Sequence, residues 1–181
     1  MSGVSDQKKW GFSARWIPEK SKAGQLFFSA KYWVNPDLGV GIDYRPLVDV
    51  VRPTVTYRFL PEDPHDWKPA LIVGSGVDDF SDGRQSVESR SYFFTLSKAL
   101  PEFEFLGVTP APYVGAVWID ELDVLRTLVG VNFRHEKNSL MIQYSGTDTH
   151  LTLSHQLSDR ISVSGIYWGM KYPGLGLQMK F

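Results

Sequence analysis

The segment from Asp148 to His155 carries the residue types of a hydrolytic site. If it forms a strand, His150, Thr152 and Ser154 lie on one face, about 6 to 7 Å apart at each step of two. A histidine beside a hydroxyl can activate it as a nucleophile, and Asp148 could orient the imidazole. Because the sequence places neither a further partner acid nor an oxyanion donor, the preferred interpretation is that these side chains line the polar face of a strand.

Acidic residues cluster in the segment 78–89, where Asp78, Asp79 and Asp82 could gather a calcium ion. The spacing fails the EF-hand pattern, because its third position would be Phe80, which offers no side-chain oxygen. A solvated acidic loop is the preferred interpretation. We therefore expect no metal site and no cofactor.

Composition restricts the class of protein. The chain has 181 residues, of which 43% are hydrophobic and 14% aromatic, so it is long enough for one folded domain and too apolar for a disordered chain. Its 19 basic and 20 acidic residues leave a net charge of -1, which argues against nucleic acid as a partner. With no cysteine, a disulfide framework and a thiol nucleophile are excluded. We expect one domain over residues 10–181, preceded by a tail, residues 1–9, that is disordered or was added for expression.

Apolar and polar residues alternate along most of the chain, as they do on strands with two different faces. In the run 38–45, for example, apolar side chains at even positions alternate with glycine or charged residues at odd positions. Turn-forming segments separate the runs at a spacing that predicts an all-β fold, a single antiparallel up-and-down barrel of about twelve strands. Pro110 and Pro112 leave open whether residues 101–120 form one strand or two. A helix over residues 119–130 is disfavoured.

The function depends on which face of these strands meets water. A soluble barrel buries its apolar face, whereas a membrane barrel turns that face to lipid and keeps a polar lumen. Apolar runs of about ten residues match the ~9 to 11 that a tilted membrane strand requires. Aromatic residues near the strand ends match an interfacial girdle, and the mixed charges and glycines of the other face suit a narrow lumen. The residues expected to line that lumen are Arg15, Lys31, Asp43, Arg45, Arg58, Asn132, Arg134 and Gln143.

The last alternating run places Leu175, Leu177, Met179 and Phe181 on one face. In this the sequence resembles bacterial outer-membrane β-barrel proteins, whose closing strand ends in phenylalanine and is read by the barrel-assembly machinery. The resemblance implies the bacterial outer membrane as location, the lipid bilayer and that machinery as partners, periplasmic chain ends, an even strand number and a signal peptide already removed. A weaker likeness, in the segments 39–47 and 91–98, is to outer-membrane barrels associated with exopolysaccharide secretion.

Three functions remain open at this point. The preferred one is a structural barrel or a narrow passive pore for ions and small solutes. The second is an outer-membrane hydrolase acting on lipid or peptide through His150, Ser154 and Asp148. Outer-membrane lipid A deacylases place a serine two residues after the histidine, whereas this chain has Thr152 there. The third is a soluble barrel that binds an apolar ligand in its interior. The sequence predicts neither the solute nor the oligomeric state.

Overall fold

The fold is a closed barrel. The computed structural model describes residues 9–63, 66–76 and 90–181. Within these ranges twelve strands each pair antiparallel with the next, and the last pairs with the first. The all-β up-and-down barrel that the sequence predicts is therefore confirmed. Its strands are β1 (Trp10–Trp16), β2 (Leu26–Trp33), β3 (Leu38–Arg45), β4 (Val50–Leu60), β5 (Ala70–Gly76), β6 (Ser91–Ser97), β7 (Thr109–Ile119), β8 (Val124–His135), β9 (Asn138–Tyr144), β10 (Thr149–Gln156), β11 (Ile161–Trp168) and β12 (Tyr172–Lys180).

Helical structure in the described residues is confined to short turns in the connections. These are α1 (Lys22–Gln25) and two 3-10 turns, Pro101–Phe103 and Asp120–Leu122. No helix in the described part of the chain is long and apolar enough to cross a membrane. The tail predicted at residues 1–9 lies almost wholly outside the described ranges and stays a prediction.

The two prolines of the uncertain middle region lie within one continuous strand, β7. The carbonyl oxygens of Pro110 and Pro112 accept hydrogen bonds from the N–H groups of Leu100 (2.9 Å) and Lys98 (3.1 Å). Pro110 and Pro112 lie in the part of β7 beyond its pairing with β6. The N–H that each proline lacks is therefore not needed for the β6–β7 hydrogen bonds. The strand is therefore not divided. The region 119–130, where a helix was disfavoured, contains the 3-10 turn Asp120–Leu122 and the first part of β8.

The outer face of the barrel wall is apolar and the inner face is largely polar, which is the reverse of a soluble barrel. Ile42 is 52% exposed on the outside, whereas its neighbours Asp43 and Arg45 are 8% and 3% exposed in the interior. Every strand exposes large apolar side chains outward. Together these side chains form a large apolar surface of the kind that monomeric soluble proteins seldom show. We call one such residue from each strand the apolar belt: Phe12, Phe28, Ile42, Val55, Val73, Phe94, Val114, Val129, Ile142, Leu153, Val163 and Leu177.

Inward-facing glycines accommodate inward-facing aromatic rings. Gly130 lies directly opposite Tyr113 in the sheet, and a Cβ added to it would lie 2.5 Å from the tyrosine Oη and 2.6 Å from Cζ. Gly74 likewise lies directly opposite Phe93, and a Cβ added to Gly74 would lie 2.6 Å from the phenylalanine Cζ. Glycine at these positions lets the ring of the neighbouring strand lie flat against the wall, so the narrow interior is not overfilled.

One side of the interior is apolar. Val117, Ile119 and Leu128, on the inward faces of β7 and β8, form a buried cluster, against which Phe93 and Tyr113 pack. The polar face predicted for the lumen is therefore interrupted on this side of the barrel.

Candidate functional site

The lumen is the candidate site, and its two ends differ. We call the end where β1 begins and β12 ends the chain-end mouth, and the opposite end the plug mouth. At the plug mouth, residues 17–25, the closure segment, connect β1 to β2 and fold inward. Ile17 is fully buried and Lys20 is 7% exposed. The segment is held by the N–H of Ile17, which donates to the carbonyl oxygen of Gln25 at 2.8 Å.

Cations and rings alternate across the plug mouth. The Nζ of Lys20 lies 3.6 Å from the centroid of the Trp168 ring, and the Arg15 guanidinium carbon lies 4.8 Å from it. The same arginine lies 5.0 Å from the Phe27 ring, and Arg45 approaches that ring from β3 at 5.9 Å. Cation–π contacts gain strength when they are desolvated, as these are. The Lys20 contact binds the closure segment to β11, and the arginine contacts join β1, β2, β3 and β11 at the same mouth.

Phe27 and Trp33 interrupt the polar face of β2 in the sequence, and the structure gives the reason. Both point inward, where Phe27 contacts two arginines and the Trp33 ring lies 5.6 Å from the Nζ of Lys31. Lys31 also donates a hydrogen bond to Thr56 Oγ1 at 3.1 Å. Arg15, Lys31, Asp43 and Arg45 thus lie inside the barrel, engaged with other side chains.

The other residues predicted to line the lumen lie nearer the chain-end mouth. Arg58 lies at its rim, where its Nε donates to Asp37 Oδ1 at 3.0 Å and another nitrogen donates to the carbonyl oxygen of Pro36. It thereby ties β4 to the β2–β3 turn. Asn132 and Arg134 line both cavities of this mouth, and Gln143 lines one of them.

His150 is paired with Ser145 rather than with Ser154. Its Nε2 lies 3.0 Å from Ser145 Oγ, and both residues are buried. Its Nδ1 accepts the N–H of Gly169 at 2.9 Å, so a neutral ring carries its proton on Nε2 and donates it to the serine oxygen. Ser145 Oγ in turn donates to the carbonyl oxygen of Asp148 at 3.2 Å. A catalytic pair needs the opposite direction, with the hydroxyl donating to the imidazole.

Ser154, the nucleophile suggested by sequence, shares the inward face of β10 with His150 but lies four residues further along the strand, about 13 Å away. It lines the cavity at the chain-end mouth. Ser145 was missed by sequence reasoning as a site residue, although it follows the polar positions of β9. The only available signal was its position at the end of that strand, five residues before the histidine.

The chain-end mouth opens into a polar cavity of about 520 Å³, which we call the vestibule. Deeper in the barrel it adjoins a smaller one of about 290 Å³, with which it shares Asn132 and Arg134. The vestibule is lined by charged, hydroxyl and amide side chains with a single apolar one: Asn132, Arg134, Glu136, Lys137, Asn138, Ser139, Ser154, Gln156, Ser158, Asp159, Arg160, Ile161, Ser162, Gln178 and Lys180.

Metal binding finds no support in the described ranges, where no three acidic or histidine side chains gather. The acidic segment with Asp78, Asp79 and Asp82 lies outside those ranges. The sequence matches no model of a known protein family, and a comparison with curated proteins gives no match. The class of molecule is therefore defined by its geometry: a closed twelve-stranded barrel that is apolar outside, largely polar inside and filled at one mouth.

Proposed function

We propose that the protein is a structural β-barrel of the bacterial outer membrane whose lumen is closed at rest. The observation that carries this proposal is the apolar belt, which encircles the barrel and leaves large aliphatic and aromatic side chains exposed on all twelve strands. Lipid is the solvent in which such a surface is stable, and a closed sheet has no unpaired edge to expose to it.

Aromatic residues near both mouths support the same orientation. Trp10 and Phe181 lie outward at the chain-end mouth, and Trp16 and Trp118 lie outward near the plug mouth. Rings at these heights would sit at the two membrane–water interfaces, with the apolar belt between them.

The filled plug mouth favours a closed barrel over a steadily open pore. Ile17, Lys20, Arg45 and His150 are all buried at this end, and Val117 and Ile119 fill the opposite wall. Passive flow of ions through the barrel therefore requires the closure segment to move. In the resting state the accessible part of the lumen is the vestibule and the smaller cavity that adjoins it.

The two alternatives fit the geometry less well. A hydrolase through His150 would need a serine that donates to the ring, and Ser145 accepts instead. A soluble carrier of an apolar ligand would need an apolar interior cavity. The vestibule is polar and the smaller cavity beside it has a mixed lining, whereas the apolar groove of about 430 Å³ beside Ala14 and Ala30 lies on the outer surface.

Refolding into lipid tests the proposal. The urea-unfolded chain is diluted into phospholipid vesicles, floated on a density gradient and run on a gel with and without boiling. We expect it to float with the vesicles and to migrate as a compact band until boiled. A chain that stays monodisperse in buffer without detergent would contradict a membrane barrel. Steady conductance of the floated protein in planar bilayers would contradict only the closed lumen and not the membrane barrel.

A further inference from the structure

The vestibule concentrates positive charge in a chain that is otherwise balanced. Four cations lie around it, and only two carboxylates, those of Glu136 and Asp159, accompany them. The vestibule thus has an excess of two positive charges, whereas the whole chain has a net charge of -1. The cations are Arg134, Lys137, Arg160 and Lys180.

These cations come from neighbouring elements whose backbones are joined. Arg134 is on β8, Lys137 is in the β8–β9 turn, Arg160 is in the β10–β11 turn and Lys180 is on β12. The N–H of Lys180 donates to the carbonyl oxygen of Arg160 at 2.8 Å. The N–H of Gln156 donates to the carbonyl oxygen of Lys137, also at 2.8 Å. In the part of the chain that the structure describes, none of the four makes an ion pair. Their charges are therefore available to a solute.

The vestibule wall between the cations is a set of short hydrogen-bonding side chains on paired strands. Ser139 lies opposite Ser154, and Gln156 lies opposite Ser162. Because these groups project from a closed sheet, they are held in place before any ligand arrives, which reduces the entropy cost of binding.

We propose that the vestibule binds a small oxyanion with two or more negative charges, either a phosphate compound or a polycarboxylate. The guanidinium of Arg134 offers the paired donors that match either group, and the lysines add point charges. A volume of about 520 Å³ has the size of small-molecule sites. Among the described residues that line it none is aromatic, so it offers little to an apolar ligand.

This inference goes beyond the proposed function and does not depend on it, because the vestibule has the same walls in lipid, in detergent or in buffer. The attraction is electrostatic and partly exposed to solvent, so it must weaken as ionic strength rises. That salt dependence distinguishes it from binding through shape alone.

Calorimetric titration of the folded barrel in detergent at low salt tests it. The probes are inorganic pyrophosphate, citrate and, as a neutral control, maltotriose. We expect binding of one or both anions and none of maltotriose, with affinity falling as salt is added. Binding of pyrophosphate alone assigns the site to phosphate compounds, and binding of citrate alone assigns it to polycarboxylates.

Matched charge variants locate the binding. Arg134→Gln and Lys180→Gln should each weaken it at least tenfold, whereas Lys171→Gln, at an exposed position in the turn of the opposite mouth, should leave it unchanged. If Arg134→Gln fails to fold, Lys180→Gln and Lys137→Gln still make the comparison. Absence of binding by both anions, or equal losses in Lys180→Gln and Lys171→Gln, would overturn the proposal.

Discussion

The ammonium group of Lys20 lies 3.6 Å from the centre of the Trp168 ring, which joins the closure segment to β11, two strands away around the barrel. The other side of this contact is crowded as well, because the His150 ring lies 4.0 Å from the same indole at an interplanar angle of 32°. The contact thus connects the segment that fills the plug mouth to the buried His150–Ser145 pair.

Removing this contact should loosen the plug. A desolvated cation–π pair contributes about 2 kcal/mol, which corresponds to roughly a 30-fold change in the equilibrium between closed and open states. We expect the wild type to show rare openings in planar bilayers and the Lys20→Ala/Trp168→Ala double variant to open far more often. Lys22→Ala, at an exposed position of the same segment, is the control. Equal opening frequencies in all three proteins would show that the closure segment does not close the lumen.

Alanine at Gly130 should destabilise the barrel. Its Cβ would collide with the Tyr113 ring and with the carbonyl oxygen of Ile142, both at about 2.5 Å. Overpacking of this kind costs about 1–3 kcal/mol. The measurement is the urea midpoint of unfolding from vesicles. Gly11→Ala is the matched control, since it also faces inward and its added Cβ would meet nothing within 4 Å. A midpoint as low in Gly11→Ala as in Gly130→Ala would contradict the packing described here.

A charge in the middle of the apolar belt should be costly only if that belt faces lipid. Ile42 lies near the middle of β3, so Ile42→Arg should lower stability in vesicles by about 2–4 kcal/mol. Leu125→Arg, one residue inside the beginning of β8, should cost about 0–1 kcal/mol. On a soluble surface neither change would matter much. Equal, small effects at both positions would therefore count against the membrane orientation.

The His150–Ser145 pair should behave as a structural network. Ser145→Ala leaves the buried Nε2–H of His150 without its acceptor, at a cost of about 1–3 kcal/mol. Ser154→Ala, the matched control, should unfold at the wild-type urea concentration. A fluorophosphonate probe, which labels activated serines, should label neither residue. Labelling that disappears in Ser145→Ala or Ser154→Ala would contradict the structural role and support a hydrolase.

The sequence was sufficient for the architecture because alternation is a local property. Strand faces and turn positions follow from neighbouring residues, and so does the inward direction of Arg15, Asp43 and Arg45. The contacts among side chains inside the lumen depend on which strands face one another across it. Phe27 therefore looked like an interruption of the polar face, although the closed barrel makes it the partner of two arginines.

The closure segment could not be placed from the sequence for the same reason. Residues 18–24 carry turn-forming types and predict a turn, but whether a connection folds into a barrel or away from it depends on the space inside. Gly174 supplies part of that space: a Cβ added there would lie 2.6 Å from Ile17 Cγ1. The apolar cluster around Val117 and Leu128 was likewise hidden, since the run 113–120 has mixed faces in the sequence.

The most direct test of the account compares two adjacent residues of β10. The chain has no cysteine, so Leu153→Cys and Ser154→Cys can each carry a single spin label in vesicles. Leu153 is 58% exposed on the outside, and Ser154 lines the vestibule. The label at 153 should collide with dissolved oxygen more than with a water-soluble nickel complex, and the label at 154 should show the reverse. A label at 153 that meets the nickel complex as readily as the label at 154 would contradict a lipid-facing belt.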